Sequence, residues 1–284
     1  MPRRRWEELP EGVRRAVERH TGSIRSVSPV PTGAASDIAV TVDTDAGRVF
    51  CKGGEVDGLF GWLYRNEARL NPWLPAAAPR LLWTVERGGW LLLGFEHAAG
   101  RHPDLAPGSP DLAPLAALLG DLGRRLTPCP PVAVPSFGDR WRTLIAPELV
   151  DGDTLLHTDM TPRNFLIEPG SGGDAGESQT VWLVDWSGPA RGAAWIDTAL
   201  LLLRLIRAGH DPAAAEEWGR QVSAYANAPE AALTAFADAL VVLWQRKQES
   251  NAASHHGPLI DAARRWAAHR ACPYRRGSST ASAA

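Results

Sequence analysis

The run Leu155-Leu156-His157-Thr158-Asp159-Met160-Thr161-Pro162-Arg163-Asn164-Phe165-Leu166-Ile167, followed by Val181-Trp182-Leu183-Val184-Asp185-Trp186, constrains the fold of this chain more than any other stretch. Short apolar segments bounded by polar and proline positions read as strand, loop, strand, hairpin, strand. Asp159 falls at the apex of the loop. Asn164 enters one arm of the hairpin and Asp185 leaves the other, so pairing of the arms brings both toward one site. Asp and Asn near loops commonly cap turns. Capping alone does not account for His-x-Asp-x4-Asn and a later strand ending in Asp within one stretch.

With 284 residues, 44% of them hydrophobic, the chain has material for one large or two modest domains with a full core. A net charge of -2 gives no electrostatic case for nucleic acid or a membrane surface. Met1-Pro2-Arg3-Arg4-Arg5 is followed by Trp6-Glu7-Glu8 rather than an apolar run, which argues against a signal peptide. No apolar run approaches the length of a membrane span. Cys51, Cys129 and Cys272 are scattered and form no metal spacing or disulfide framework, which points to a reducing, cytoplasmic setting. Of the 30 basic residues, all but Lys52 and Lys247 are arginine. A lysine kept under that bias marks a place where a compact point charge is wanted and a planar guanidinium does not serve. Lys52 ends the strand-like segment Arg48–Lys52; Lys247 lies at a polar helix end and reads as a surface residue.

Periodicity predicts a helix over 7–20, strands over 24–30, 37–42 and 48–52, a helix over 58–70 and strands over 81–86 and 90–95. Pro31-Thr32-Gly33-Ala34-Ala35-Ser36 is a small-residue turn, and Arg87-Gly88-Gly89 marks a hairpin. Helices follow over 111–126, 140–149, 195–208, 212–226, 229–249 and 258–270, with a proline-rich crossing at 127–138 and a small, polar tail over 273–284 that reads as disordered. The order is strands first, then helices, with the His157–Asp185 stretch among the helical segments.

These residues, taken together, resemble the kinase-like phosphotransferases, and most closely the aminoglycoside phosphotransferase family. The likeness runs over about residues 22–270 and joins Lys52 and Glu67 to Asp159, Asn164 and Asp185 in the family's order. It implies an α+β, protein-kinase-like fold of two lobes: an antiparallel, β-rich nucleotide-binding lobe over 1–97 and a helix-rich catalytic and acceptor-binding lobe over 98–272. It also implies transfer of a phosphoryl group from ATP or GTP to a small-molecule hydroxyl with Mg²⁺. Asp159 is then the catalytic base and Asn164 with Asp185 the metal ligands. Lys52 contacts the nucleotide phosphates, Glu67 holds Lys52, and Phe95, Glu96 and His97 form the hinge beside the base. His157 and Asp197 become supports of the catalytic loop. Phosphoryl transfer asks a protein mainly for positioning and charge neutralisation, and Mg²⁺ takes few protein oxygens beside water and phosphate, so these residue types suit those roles.

Departures from the protein-kinase pattern narrow the acceptor. Trp186-Ser187 follow Asp185 in place of Phe-Gly, no Ala-Pro-Glu signal appears, and Thr161 stands where protein kinases place a lysine, leaving transition-state charge to Lys52, the metal or Arg163. That pattern favours a small molecule, with an antibiotic of aminoglycoside or nucleoside type expected, in resistance or self-protection. A choline, fructosamine or thiosugar kinase and a non-catalytic nucleotide-binding protein are the alternatives. Residues 201–284, expected to form the acceptor wall, hold seven acidic and ten basic residues, which counts against a polycationic aminoglycoside.

Overall fold

The computed structural model describes residues 3–30, 36–168, 179–251 and 253–272. In chain order they form α1 (Glu11–Thr21), β1 (Ile24–Pro29), β2 (Ile38–Thr44), β3 (Gly47–Glu55), α2 (Gly61–Leu70), β4 (Leu81–Arg87), β5 (Trp90–Glu96), α3 (Leu112–Arg125), α4 (Phe137–Trp141), β6 (Thr154–Leu156), β7 (Phe165–Glu168), β8 (Thr180–Leu183), β9 (Ala190–Gly192), α5 (Ile196–Arg207), α6 (Pro212–Gly219), α7 (Ser223–Ala226), α8 (Glu230–Ser250) and α9 (His256–Ala271). Two compact units divide the chain: 1–103 with 162–188, and 104–161 with 189–284.

In the first unit β1 to β5 make an antiparallel sheet in the order β1-β2-β3-β5-β4. Side chains alternate between its faces. Val13 and Val17 of α1, with Trp6 and Leu9, pack on Val40, Val42, Cys51, Val85 and Leu92 on one face. On the other, Tyr64 of α2 packs with Leu91, Leu93 and Phe95. Lys52 pairs across strands with Leu93 and so belongs to the α2 face, one residue out of step with Cys51 in the α1-side core. The β4–β5 turn needs left-handed backbone at Gly88 (φ 58°) and Gly89 (φ 78°), which explains the glycine pair. At Gly94 a Cβ would sit 2.0 Å from the Trp83 ring, so only glycine lets that ring cover the strand.

Residues 98–103 and 162–188 join this unit, whereas the expected lobe break falls after His97. Hydrogen bonding gives the reason. Arg101 and Ile167 exchange backbone bonds of 3.1 and 2.8 Å, the His102 ring reaches Phe165 O, and Leu183 N–H donates to Ala77 O. The hairpin β7–β8 is thereby tied to the first unit, although it follows the first helices of the second in sequence.

The second unit is built on α5, whose buried residues include Ile196, Leu201, Leu202, Leu205 and Ile206, giving apolar contact on several sides of the helix. Helix α9 packs on it, and α8 packs on α9. Glu216 of α6, 3% exposed, accepts from Trp266 Nε1 at 2.8 Å and from Arg270, fixing α6 to α9. Short strands β6 and β9 pair antiparallel and lead into the loop bearing Asp159.

Several sequence expectations shift. The helix expected over 140–149 is α4, starting at Phe137 where Ser136 caps it, followed by a single tight turn over Pro147–Leu149. The helix expected over 212–226 breaks at Arg220–Val222 into α6 and α7, folding the Tyr225 ring back so close that a Cβ built at Gly219 would stand 3.1 Å from it. The helix expected over 111–126 is α3, and Asp111 before it makes no side-chain cap, its buried carboxylate accepting Asp104 N–H. The turn over 31–35 and the tail over 273–284 lie outside the described residues. Among the described residues no helix is long and apolar enough to cross a membrane.

Candidate active site

A cavity of about 360 Å³ lies within the first unit. Ala39, Phe50, Phe95 and Leu166 give it an apolar lining, and Lys52, Glu67, Asn164 and Asp185 supply its charged and polar groups. Glu96 and His97 line it where β5 ends, so seven of the eight site residues expected from sequence surround one space. The eighth, Asp159, belongs to the second unit.

Lys52 is the centre of this arrangement. Its Nζ lies 2.7 Å from Glu67 Oε2 and 2.8 Å from Asp185 Oδ1, and 5.8 Å from the centre of the Phe95 ring. The Lys52 and Glu67 side chains are 7% and 5% exposed. Burial alone disfavours the Lys52 ammonium, but Asp185 and Glu67 outweigh it and hold its pKa above the ordinary lysine value. Burial raises the Glu67 carboxyl, against the pull of Lys52 and of a hydrogen bond from the Trp186 backbone. A buried pair of this kind contributes little net stability, because desolvation offsets the attraction. Its use is to hold a charge at a fixed point.

The β7–β8 pairing delivers the other two groups. Phe165 pairs with Leu183, and Val184 N–H donates to Asn164 O at 2.8 Å, so Asn164 and Asp185 flank the same end of the hairpin. Asp185 adopts left-handed backbone, φ 66°, a conformation that Asp tolerates better than most residues. Trp186 Nε1 donates to Leu183 O at 2.9 Å and closes the turn. Among the described residues no group of three or more His, Cys, Asp or Glu side chains is arranged to hold a metal. One carboxylate and one amide oxygen form the sparse, hard donor set that Mg²⁺ takes when substrate phosphates and water complete its shell. The donor chemistry therefore fits the ion.

In the second unit, the loop at Asp159 is held by α5. Asp197 Oδ2 accepts from His157 N–H at 2.8 Å and Oδ1 from Thr158 N–H at 2.9 Å. Thr158 has φ 69°, unfavourable for a β-branched residue, and this double anchor keeps it there. Asp159 N–H donates to His157 Nδ1, placing the proton of a neutral His157 ring on Nε2. His157 is 1% exposed and Asp159 is exposed, so the first supports the loop and the second is presented by it.

Two groups escaped the sequence reading. Arg3 lines the cavity and bonds Val30 O, a placement that no local pattern signals. Arg204 and Lys247 flank the Trp244 ring in the second unit, 5.2 and 4.5 Å from its centre. The scarcity of lysine was the available signal for Lys247.

No protein-family model matches the chain, and no curated protein matches it in sequence. Solved structures do match its fold. A microcompartment-associated aminopropanol kinase aligns with a TM-score of 0.56 at 14% identity, covering 92% of this chain and 97% of the other. The choline kinase of Streptococcus pneumoniae gives 0.55 at 12%, covering 91% and 99%. A thermostable mutant of an aminoglycoside phosphotransferase, in ternary complex with ADP and hygromycin B, gives 0.54 at 14%, covering 89% and 98%. This chain has the α+β, protein-kinase-like fold that these small-molecule kinases share.

Proposed function

We propose that the protein transfers the γ-phosphoryl group of ATP or GTP to a hydroxyl of a small molecule. The observation that carries this reading is Lys52, buried between Glu67 and Asp185 in a cavity that also receives Asn164. A lysine fixed so is a point charge for phosphate oxygens. Phe50, Phe95 and Leu166 provide apolar surface for a base, and Glu96 and His97 sit at the strand end beside it. Asn164 and Asp185 would hold Mg²⁺, which supplies neutralisation of phosphate charge when bound.

Asp159 acts as the base. The acceptor hydroxyl gives its proton to the Asp159 carboxylate, its oxygen bonds to Pγ, and the bond from Pγ to the bridging oxygen breaks, releasing the nucleoside diphosphate. Asp197 and His157 hold the loop so that Asp159 is presented without reorganisation. The first unit thus carries the nucleotide, and the second the base and the acceptor. The acceptor is a hydroxylated antibiotic or metabolite.

The test is a mass-spectrometric screen in which purified protein, Mg²⁺ and ATP or GTP are offered aminoglycosides, nucleoside antibiotics and hydroxylated metabolites. A product heavier by one phosphoryl group is expected. Asp159→Asn should lower its turnover by about 10²–10⁴ while nucleotide binding persists. Wild-type turnover in that variant would remove Asp159 from the mechanism.

A further inference from the structure

The wall around the candidate base is cationic. Asp197, which anchors the Asp159 loop, and Arg204 are seven residues apart on α5 and so lie on one face, two turns from each other. Arg204 therefore projects from the side of α5 that meets the loop. Its guanidinium stands 5.2 Å from the Trp244 ring of α8, and Lys247, one turn on, stands 4.5 Å from the same ring. Arg140 adds a third positive group, donating to Thr158 Oγ1 at 3.2 Å, next to Asp159 in sequence.

Arg140 is engaged by Thr158 and Pro189, but the Arg204 and Lys247 side chains are not used up by the fold. The Arg204 and Lys247 side chains have the Trp244 ring as their contact and, among the described residues, neither side chain forms a hydrogen bond or an ion pair. Trp244 Nε1 is a buried donor that meets no acceptor. Desolvation lowers the pKa of both cations, Arg204 to about 10, and the charge of Arg204 adds to the lowering of Lys247. The Asp159 carboxylate works the other way on each. Arg204 therefore stays charged at neutral pH. Four of the seven acidic residues over 201–284 are engaged elsewhere: Glu216 and Glu230 bind Arg270, Glu217 binds Arg220 and Asp211 caps α6. A surplus of donors with no protein acceptor is completed by a ligand that brings acceptor oxygens and negative charge.

We infer that Arg204 and Lys247, over Trp244, form a subsite for an anionic group on the acceptor, a carboxylate or a phosphate, carried by the same molecule whose hydroxyl faces Asp159. This rests on the phosphotransferase reading for the role of Asp159. It sets the acceptor class apart from polycations, which these two charges repel.

Three six-carbon polyols of different charge test it: gluconate, sorbitol and N-methylglucamine. Their binding to the full chain with Mg²⁺ and AMP-PNP is followed by ligand-detected NMR. Gluconate is expected to bind about tenfold more tightly than N-methylglucamine, the size of one charge-assisted contact. Lys247→Ala and Arg204→Gln should each erode that preference and Lys247→Arg should retain it. Lys247 is exposed, so its variants keep the test alive where Arg204→Gln fails to fold. Equal or tighter binding of N-methylglucamine, no binding of gluconate, or a gluconate preference that survives both substitutions would overturn the assignment and leave the two cations as counter-charges to Asp159. Binding of AMP-PNP is measured in the same samples. Its absence would strike the phosphotransferase reading while the charge preference stood.

Discussion

Residue by residue, the sheet's period of two explains how one strand serves both stability and chemistry. Cys51 and Lys52 are neighbours in β3, and the pleat sends them to opposite faces. Cys51 is fully buried beneath α1, and burial pushes its thiol up to about 12. The unfolded chain ionises near the ordinary thiol value of 9.0, so the protonated thiol's contribution is fully present below that pH and is lost as pH rises toward 12. Between pH 8 and 10.5 the loss attributable to Cys51 amounts to about 2 kcal/mol. Cys51→Ala should therefore show a shallower decline of urea-measured stability than the wild type over that range. Parallel declines would contradict the burial assigned to the thiol. Lys52 shows the complementary case, since its scarcity in an arginine-rich chain is visible in the sequence while its two carboxylate partners are 15 and 133 positions away.

At the level of elements, the helices of the second unit are joined by a few buried polar contacts as well as by apolar packing. Glu216 is the main one, taking bonds from Trp266 and Arg270 of α9 and from Arg220. Removing it takes away the buried carboxylate of the Arg270 guanidinium, 3% exposed, and leaves the exposed Glu230 and the Thr234 hydroxyl among its partners. Glu216→Ala should cost about 3–5 kcal/mol in denaturant unfolding, as expected when one member of a buried ion pair is deleted. Replacing Arg270 as well, by Met, should recover part of that cost. A loss below about 1 kcal/mol for Glu216→Ala would show that the junction relaxes or takes in water. Helix existence was legible from periodicity across this unit, and α3, α5, α8 and α9 fall close to where it places them. The break between α6 and α7 was not, because the backbone there responds to Tyr225 folding onto Gly219, a tertiary contact that leaves no mark in the pattern of apolar residues.

For the molecule as a whole, a nucleotide that binds the first unit must raise its stability by mass action. At a concentration 100-fold above its Kd, Mg-ATP should add about 2.7 kcal/mol, seen as a rise of several degrees in Tm, in the transition of the first unit if the two units melt separately. Asp185→Ala should abolish the part of the rise that depends on Mg²⁺. A metal-dependent rise that survives the substitution would take Asp185 out of the metal site. The sequence by itself determined the strands-then-helices order, the kinase-like fold, and the members of the Lys52, Glu67, Asn164 and Asp185 set. Lys52 stands within β3, Glu67 on α2, and Asn164 and Asp185 at one end of the β7–β8 hairpin, and at each place residue type and spacing are local properties. Only the tertiary structure decided that 162–188 packs with the first unit, that Lys52 meets Asp185 as well as Glu67, and that Arg204 and Lys247 share one tryptophan. Those outcomes depend on contacts between residues far apart in the chain: the hydrogen bonds of Arg101 with Ile167 and of Leu183 with Ala77, and the packing of α9 on α5 and of α8 on α9. Periodicity reports which face of an element is buried, and it carries no information about which partner buries it.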